Sequence, residues 1–221
     1  GRAAAHRFAA AGATLLIVGR TADRNETIVS ELQEASGNDS VSQFPADMGD
    51  LDEVRSLAAH TLASFDHVDV LVHNAGALTP DRRTAPSGLE ATVASQVVGP
   101  FLLTTLLLPA LTESETPRVL TMSSGGMYSE PLTVGMLQMS ADDYRGTAQY
   151  ARAKRAQVTL NEMWAERHPD VTFHSLHPGW ASTPGVDEAL PAFARVMGPL
   201  LRSADQGADT LVWLAADDTV P

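Results

Sequence analysis

Five short apolar stretches punctuate the chain, at 14–18, 41–44, 68–72, 118–122 and 171–176. Thr14-Leu15-Leu16-Ile17-Val18 and Arg118-Val119-Leu120-Thr121-Met122 are continuous runs, the pattern of strands buried on both faces. Residues 41–44 make a weaker strand. Between the runs lie helix-length segments. Residues 2–11 are Ala-rich, and Gly12 follows where a C-cap glycine belongs. A polar helix is expected over 22–35, stopping near Ser36-Gly37. Asp50 with Glu53 reads as a capping box for a helix through about 65. Further helices are expected over 88–111, 147–167 and 204–216. Strands alternating with helices of this length pair in parallel, with helices on both faces. The handed crossovers then give an α/β, doubly wound sheet. With 221 residues and no repeat, linker or charge run, residues 1–221 read as a single domain.

A doubly wound sheet binds ligands beyond the carboxyl ends of its strands. Gly19 and Arg20 follow the first run, Asp47 the second and Asn74, Ala75 and Gly76 the third. Ser123 and Ser124 follow the fourth, and His177, Pro178 and Gly179 the fifth. Each predicted strand therefore ends in polar or glycine residues. The one long irregular stretch is 125–146. It reads either as a lid or pocket wall, or as a surface insertion.

Composition removes several kinds of chemistry. There is no cysteine, hence no disulfide, thiol nucleophile or thiolate metal site. The net charge of -12 argues against nucleic acid as a partner. No run of 18 apolar residues exists, so no membrane-spanning segment is expected. The seven histidines show no ligand spacing, so no metal site is expected. Met122-Ser123-Ser124-Gly125-Gly126 lacks the Gly-x-Ser-x-Gly elbow of a serine hydrolase.

Tyr150 and Lys154 are four apart, on one face of the expected helix. A phenol titrates near pH 10, and a nearby cation lowers that value. Tyr150 could then give a proton to a carbonyl oxygen or take one from an alcohol. Ser124 could stabilise the same oxygen. The bland alternatives are a surface helix pair and ordinary turn chemistry. Lys154 is the only lysine; the other basic residues among the 15 are arginines.

Together, Asn74-Ala75-Gly76, Ser124, Tyr150-x-x-x-Lys154 and Pro178-Gly179 with Thr183 occur in an order that resembles the short-chain dehydrogenase/reductase family over nearly the whole chain. Within it, Ser123-Ser124-Gly125-Gly126-Met127 and His177-Pro178-Gly179-Trp180 look like the retinol-dehydrogenase-like branch. The resemblance implies a Rossmann-type fold and hydride transfer between a nicotinamide cofactor and an alcohol or carbonyl. It makes Tyr150 the general acid/base, and gives Lys154 the task of binding the nicotinamide ribose and lowering the phenol's pKa. Ser124 orients the substrate oxygen. Asp47 should lie by the adenine, with Asn74, Ala75 and Gly76 along the cofactor. Pro178, Gly179 and Thr183 should border the nicotinamide. Arg20, in place of an acidic residue, tilts the cofactor from NAD to NADP by accommodating a 2′-phosphate.

Three positions depart from the family. His73 precedes Asn74 where many members have a second asparagine. Gln96 stands where an asparagine of the proton relay is expected. Gly1 matches the last glycine of the phosphate-binding turn, so the first strand and earlier glycines would precede it. On that reading the chain is incomplete at its N-terminus, with low stability and poor dinucleotide affinity by itself. The competing function is a catalytically impaired relative that keeps the fold for binding. Leu132, Val134, Met136, Leu137 and Met139 suggest either an apolar pocket wall, hence a hydrophobic substrate, or packing under a loop. Homo-oligomerisation is implied by the family alone. The chain as it stands reads as soluble and cytoplasmic, with any targeting or anchor segment lying upstream of Gly1.

Overall fold

A computed structural model of the chain describes residues 1–181, 201–217 and 219. Its elements are α1 (Arg2–Ala10), β1 (Leu15–Gly19), α2 (Ala22–Ser36), β2 (Val41–Pro45), α3 (Leu51–Ser64), β3 (Val70–His73), α4 (Ala91–Thr112), β4 (Arg118–Met122), α5 (Gly146–Arg167), β5 (Thr172–Leu176) and α6 (Ala204–Ala216). All pairings between these strands are parallel, as the apolar runs require. They form two ladders, β1-β2 and β3-β4-β5. No ladder joins β1 to β3 among the described residues.

Side-chain alternation sorts the strands onto two faces. Leu16, Leu71 and Val119 point to the core shared with α3 and α4. Val70, Val72 and Leu120 point to the opposite core, against α1 and α6. Leu15 and Ile17 meet α1 and α2. Helix α1 thus packs over both ladders. Strand β4 is paired on both edges and is the most completely buried. At its start Arg118, itself buried, donates through Nη1 to the Leu214 carbonyl of α6 at 2.8 Å. A guanidinium suits a helix C-terminus, where carbonyls lack partners.

Local chemistry sets the element ends. Gly37, at φ 68°, closes α2 with its N–H on the Gln33 carbonyl. The expected capping box of α3 forms only by half. Asp50 Oδ1 accepts from the amides of Asp52 and Glu53, but Glu53 Oε2 accepts from Asp47 N at 2.6 Å. Glu53 therefore anchors the β2–α3 turn.

Helix α4 starts at Ala91, later than the predicted 88, because Glu90 caps Val93 N. It contains a π-turn over Ala94–Val98, a feature no apolar pattern reports. By length and mean hydropathy, 1.6 over its most apolar 18 residues, α4 could cross a bilayer, contrary to the expectation from unbroken runs. Of that window, 56% is buried inside the protein, and Leu103, Leu107 and Leu111 belong to the core. It is read here as a core helix. Gly99 packs so close to the Met48 carbonyl that a Cβ would collide with it. Gly99→Ala should therefore lower unfolding free energy by about 1–3 kcal/mol. Urea midpoints check this; an unchanged midpoint would refute the close approach.

Candidate active site

Lysine in a core is costly unless its ammonium is hydrogen-bonded. Lys154, on α5, is 2% exposed. Its Nζ donates to the Met122 carbonyl at the end of β4 at 2.8 Å. Burial lowers its pKa from 10.5 to about 8. Tyr150, one turn earlier, has its ring centroid 5.6 Å from Nζ. The Ser124 side chain lies close enough to act on the Tyr150 phenol, and Ser124 Oγ accepts from Gly126 N at 3.2 Å. Ser123 turns inward, with Oγ 3.4 Å from the Lys154 carbonyl, so the two serines after β4 have separate surroundings. The Tyr150 pKa is raised, because burial outweighs the opposing effect of Ser124. The expected lowering by Lys154 is not what this structure gives: the ammonium is turned to Met122, and burial dominates the phenol.

Gln96 lies in the π-turn of α4 and is 1% exposed. Its Nε2 donates to the Ala77 carbonyl at 2.7 Å, which fixes the amide plane. Its Oε1 is buried without a partner. A Cβ placed on Gly76 would lie 3.2 Å from both Gln96 Oε1 and Lys154 Nζ. Gly76 thus leaves open a small polar slot between an unpaired acceptor and an ammonium.

The other predicted residues follow the ends of their strands or precede α1. Asn74 Oδ1 accepts from the Gly1 ammonium at 3.3 Å, linking the start of α1 to the end of β3. Ala75 and Gly76 are exposed. Asp47 commits Oδ1 to Gly49 N at 2.8 Å. Arg20 is exposed beyond β1. Pro178 packs against Gly207 of α6, and Gly179 adopts φ 72°, with its N–H on His177 Nδ1 at 3.1 Å. His177 is a turn residue. Thr183 lies outside the described residues.

The stretch 125–146 is a tethered wall. Gln149, fully buried, accepts from Met139 N and donates to the Leu137 carbonyl, both at 2.8 Å. Glu90, also fully buried, accepts from Tyr144 Oη at 3.3 Å, while Gln138 Oε1 accepts from Glu90 N at 2.8 Å. Arg82 donates to the Met139 carbonyl at 3.1 Å. Sequence reasoning missed these clamps, because Gln, Glu and Arg read as surface. Of the five apolar residues singled out there, Leu132 and Leu137 pack on α4 and α5 and Met139 is buried. Val134 and Met136 stay exposed, at 82% and 57%. An open cavity of about 670 Å³ beside the wall is lined by Met136, Gln138, Arg145 and Arg152, not by Ser124 or Tyr150.

Behind Lys154, His73 is buried, with Nε2 2.7 Å from Thr104 Oγ1. Thr104 spends its hydrogen on the Pro100 carbonyl, so Nε2 carries the proton and donates. Burial first, then the Lys154 charge, lowers the His73 pKa from 6.5 to about 4. The unfolded chain therefore binds this proton more readily than the folded one. The corresponding stability is present above pH 6.5 and lost as pH falls toward 4, by about 3 kcal/mol at full extent. His73→Asn should flatten the loss of stability between pH 6.5 and 4 in urea titrations. An unaltered acid limb would contradict the assignment.

Comparison with known proteins agrees with the geometry. The sequence profile described as short chain dehydrogenase matches residues 1–192. Dehydrogenase/reductase SDR family member 12 of Homo sapiens is 39% identical over 215 residues, 97% of this chain and 68% of that protein. Retinol dehydrogenase 11 of Homo sapiens is 29% identical over 216 residues, 95% of this chain and 67% of its own length. The crystal structure of a short chain dehydrogenase from Shigella flexneri, complexed with NADP, has a TM-score of 0.80. It covers 99% of this chain and 87% of that one at 22% identity, a likeness of fold. With parallel ladders, helices on both faces, the profile match and the human relative, the chain belongs to the short-chain dehydrogenase/reductase family of oxidoreductases.

Proposed function

We propose that the full-length protein interconverts an alcohol and a carbonyl with NADP(H), with Tyr150 as general acid/base, Ser124 orienting the substrate oxygen and Lys154 supplying positive potential. The observation that carries this reading is Tyr150 with its ring centroid 5.6 Å from a buried Lys154 ammonium at the end of β4, the Ser124 side chain being close enough to act on the phenol. The residues present fit a nicotinamide dinucleotide. Gly76 keeps the slot beside Lys154 free of a side chain, and the unpaired Gln96 Oε1 offers an acceptor there. Gly1, Arg20, Asp47, Asn74, Ala75, Pro178 and Gly179 are the further residues proposed to hold it, with Thr183. When bound, the nicotinamide supplies or accepts the hydride. Arg20 favours the phosphorylated cofactor.

In the reducing direction the protonated phenol of Tyr150 gives its proton to the carbonyl oxygen, which Ser124 Oγ holds. A phenol pKa raised by burial keeps that proton available at neutral pH. Gln96, whose Oε1 is buried without a partner, is the residue proposed to stand in the proton relay that the family resemblance implies. The substrate is proposed to be apolar. The exposed Val134 and Met136, on the wall that follows Ser124, support this, as does a relative whose name specifies retinol.

The test is NADPH-dependent reduction of a carbonyl panel by the full-length protein. Tyr150→Phe should lower kcat/KM by about 10²–10⁴-fold; an active variant would sink the mechanism. Cofactor binding without any turnover would favour the binding-protein reading.

Two further outcomes follow from the lysine. Because its pKa is about 8, kcat/KM for reduction should be level below pH 8 and fall above it as the ammonium is lost. A folded value below 10.5 also means that burying the charge costs stability at neutral pH. Lys154→Met should therefore be inactive yet resist urea better at pH 7, by about 1–3 kcal/mol. A less stable variant would contradict the burial cost.

A further inference from the structure

Asn25, on the first turn of α2, is 3% exposed, the burial of a core residue. Its Nδ2 donates to the Gly19 carbonyl at 2.9 Å, and lies 3.3 Å from Gln43 Oε1 and 3.5 Å from the Phe44 carbonyl. Gly19 closes β1, Phe44 is next to last in β2 and Gln43 lies at its middle. The β1–β2 register ends at Gly19 opposite Pro45, and a proline offers the ladder no donor. The Gly19 carbonyl instead receives Ala46 N at 3.0 Å and Asn25 Nδ2, so two donors immobilise it. Asn25 Oδ1 lies against Gly19, where a Cβ would collide with it. The peptide that leads into Arg20 is therefore clamped from the α2 side.

Arg20 itself is exposed and makes no hydrogen bond or ion pair with any described residue. Its side chain is directed only by its own backbone. A guanidinium recognises a phosphate monoester by paired N–H donors, which demands a defined approach. Holding the base of the side chain reduces what must be ordered on binding.

From the burial of Asn25 and its bonds to the end of β1 and to β2, we infer that Asn25 is a positioning residue for cofactor choice, fixing the Gly19–Arg20 peptide so that Arg20 can meet the 2′-phosphate of an adenine nucleotide. The inference rests on the NADP reading of Arg20, and goes beyond it by assigning the preference to a residue that does not touch the phosphate.

Calorimetry of the full-length protein with adenosine 2′,5′-bisphosphate and with 5′-AMP reads the effect as a ratio of dissociation constants. Wild type should favour the bisphosphate, and Arg20→Ala should abolish the preference. Asn25→Ser should reduce it by about tenfold, less than the roughly hundredfold a 1 Å misplacement can cost. Gly19→Ala disturbs the same contact from the other side and should act alike. Thermal melts show that each variant is folded. Equal weakening of both ligands, or a wild-type ratio in both folded variants, would overturn the role of Asn25 and leave Arg20 untouched. A wild type with no preference would remove the NADP reading, and this inference with it.

Discussion

One ammonium inside the protein sets the terms for its surroundings. Lys154 can be buried because the strand-end carbonyl of Met122 accepts from it. That carbonyl is in place because β4 is held on both edges by β3 and β5. The charge in turn helps keep His73 neutral, so the interior near the site carries one formal charge rather than two. Gly76 and Gln96 leave polar space in front of the ammonium, and Tyr150 lies one helical turn before it. Removing the lysine would ease the core.

Polar side chains also hold the segment that follows Ser124. The wall over 125–146 holds little regular structure beyond short 3₁₀ turns at Gly125–Ser129 and Val134–Met136. It is tied down by side chains from elsewhere. Buried Gln149 and Glu90 satisfy amides and carbonyls that no helix or strand satisfies, as buried irregular backbone requires. Gly146 lets α5 begin against the Thr79 carbonyl, where any Cβ would collide. This wall is thus built from backbone and positioned by amides and carboxylates.

These details mark the limit of what the sequence could say. Apolar periodicity located the strands and nearly every helix, and the carboxyl-edge rule placed Asn74, Ser124 and Pro178 beyond strand ends, because burial of apolar surface fixes both. Periodicity is silent on polar residues that go inside. Asn25, Glu90, Gln96 and Gln149 have compositions typical of exposed helix faces, and only the meeting of distant segments makes them interior. The half-formed box at Asp50 failed for a related reason: Glu53 found an amide in the preceding turn. The π-turn in α4 leaves no trace in hydropathy, although it holds Gln96.

The bond from Arg118 to Leu214 spans 96 positions and joins the entry of β4 to the last turn of α6. Its meaning is clearest for a chain emerging from the ribosome. Until α6 has been made, a guanidinium destined for the interior lacks the acceptor it uses in the folded protein, and the core face formed by Leu120 and Leu176 is covered by α1 alone. Vectorial synthesis therefore holds β4 in waiting, and closure of that half of the domain follows the emergence of α6.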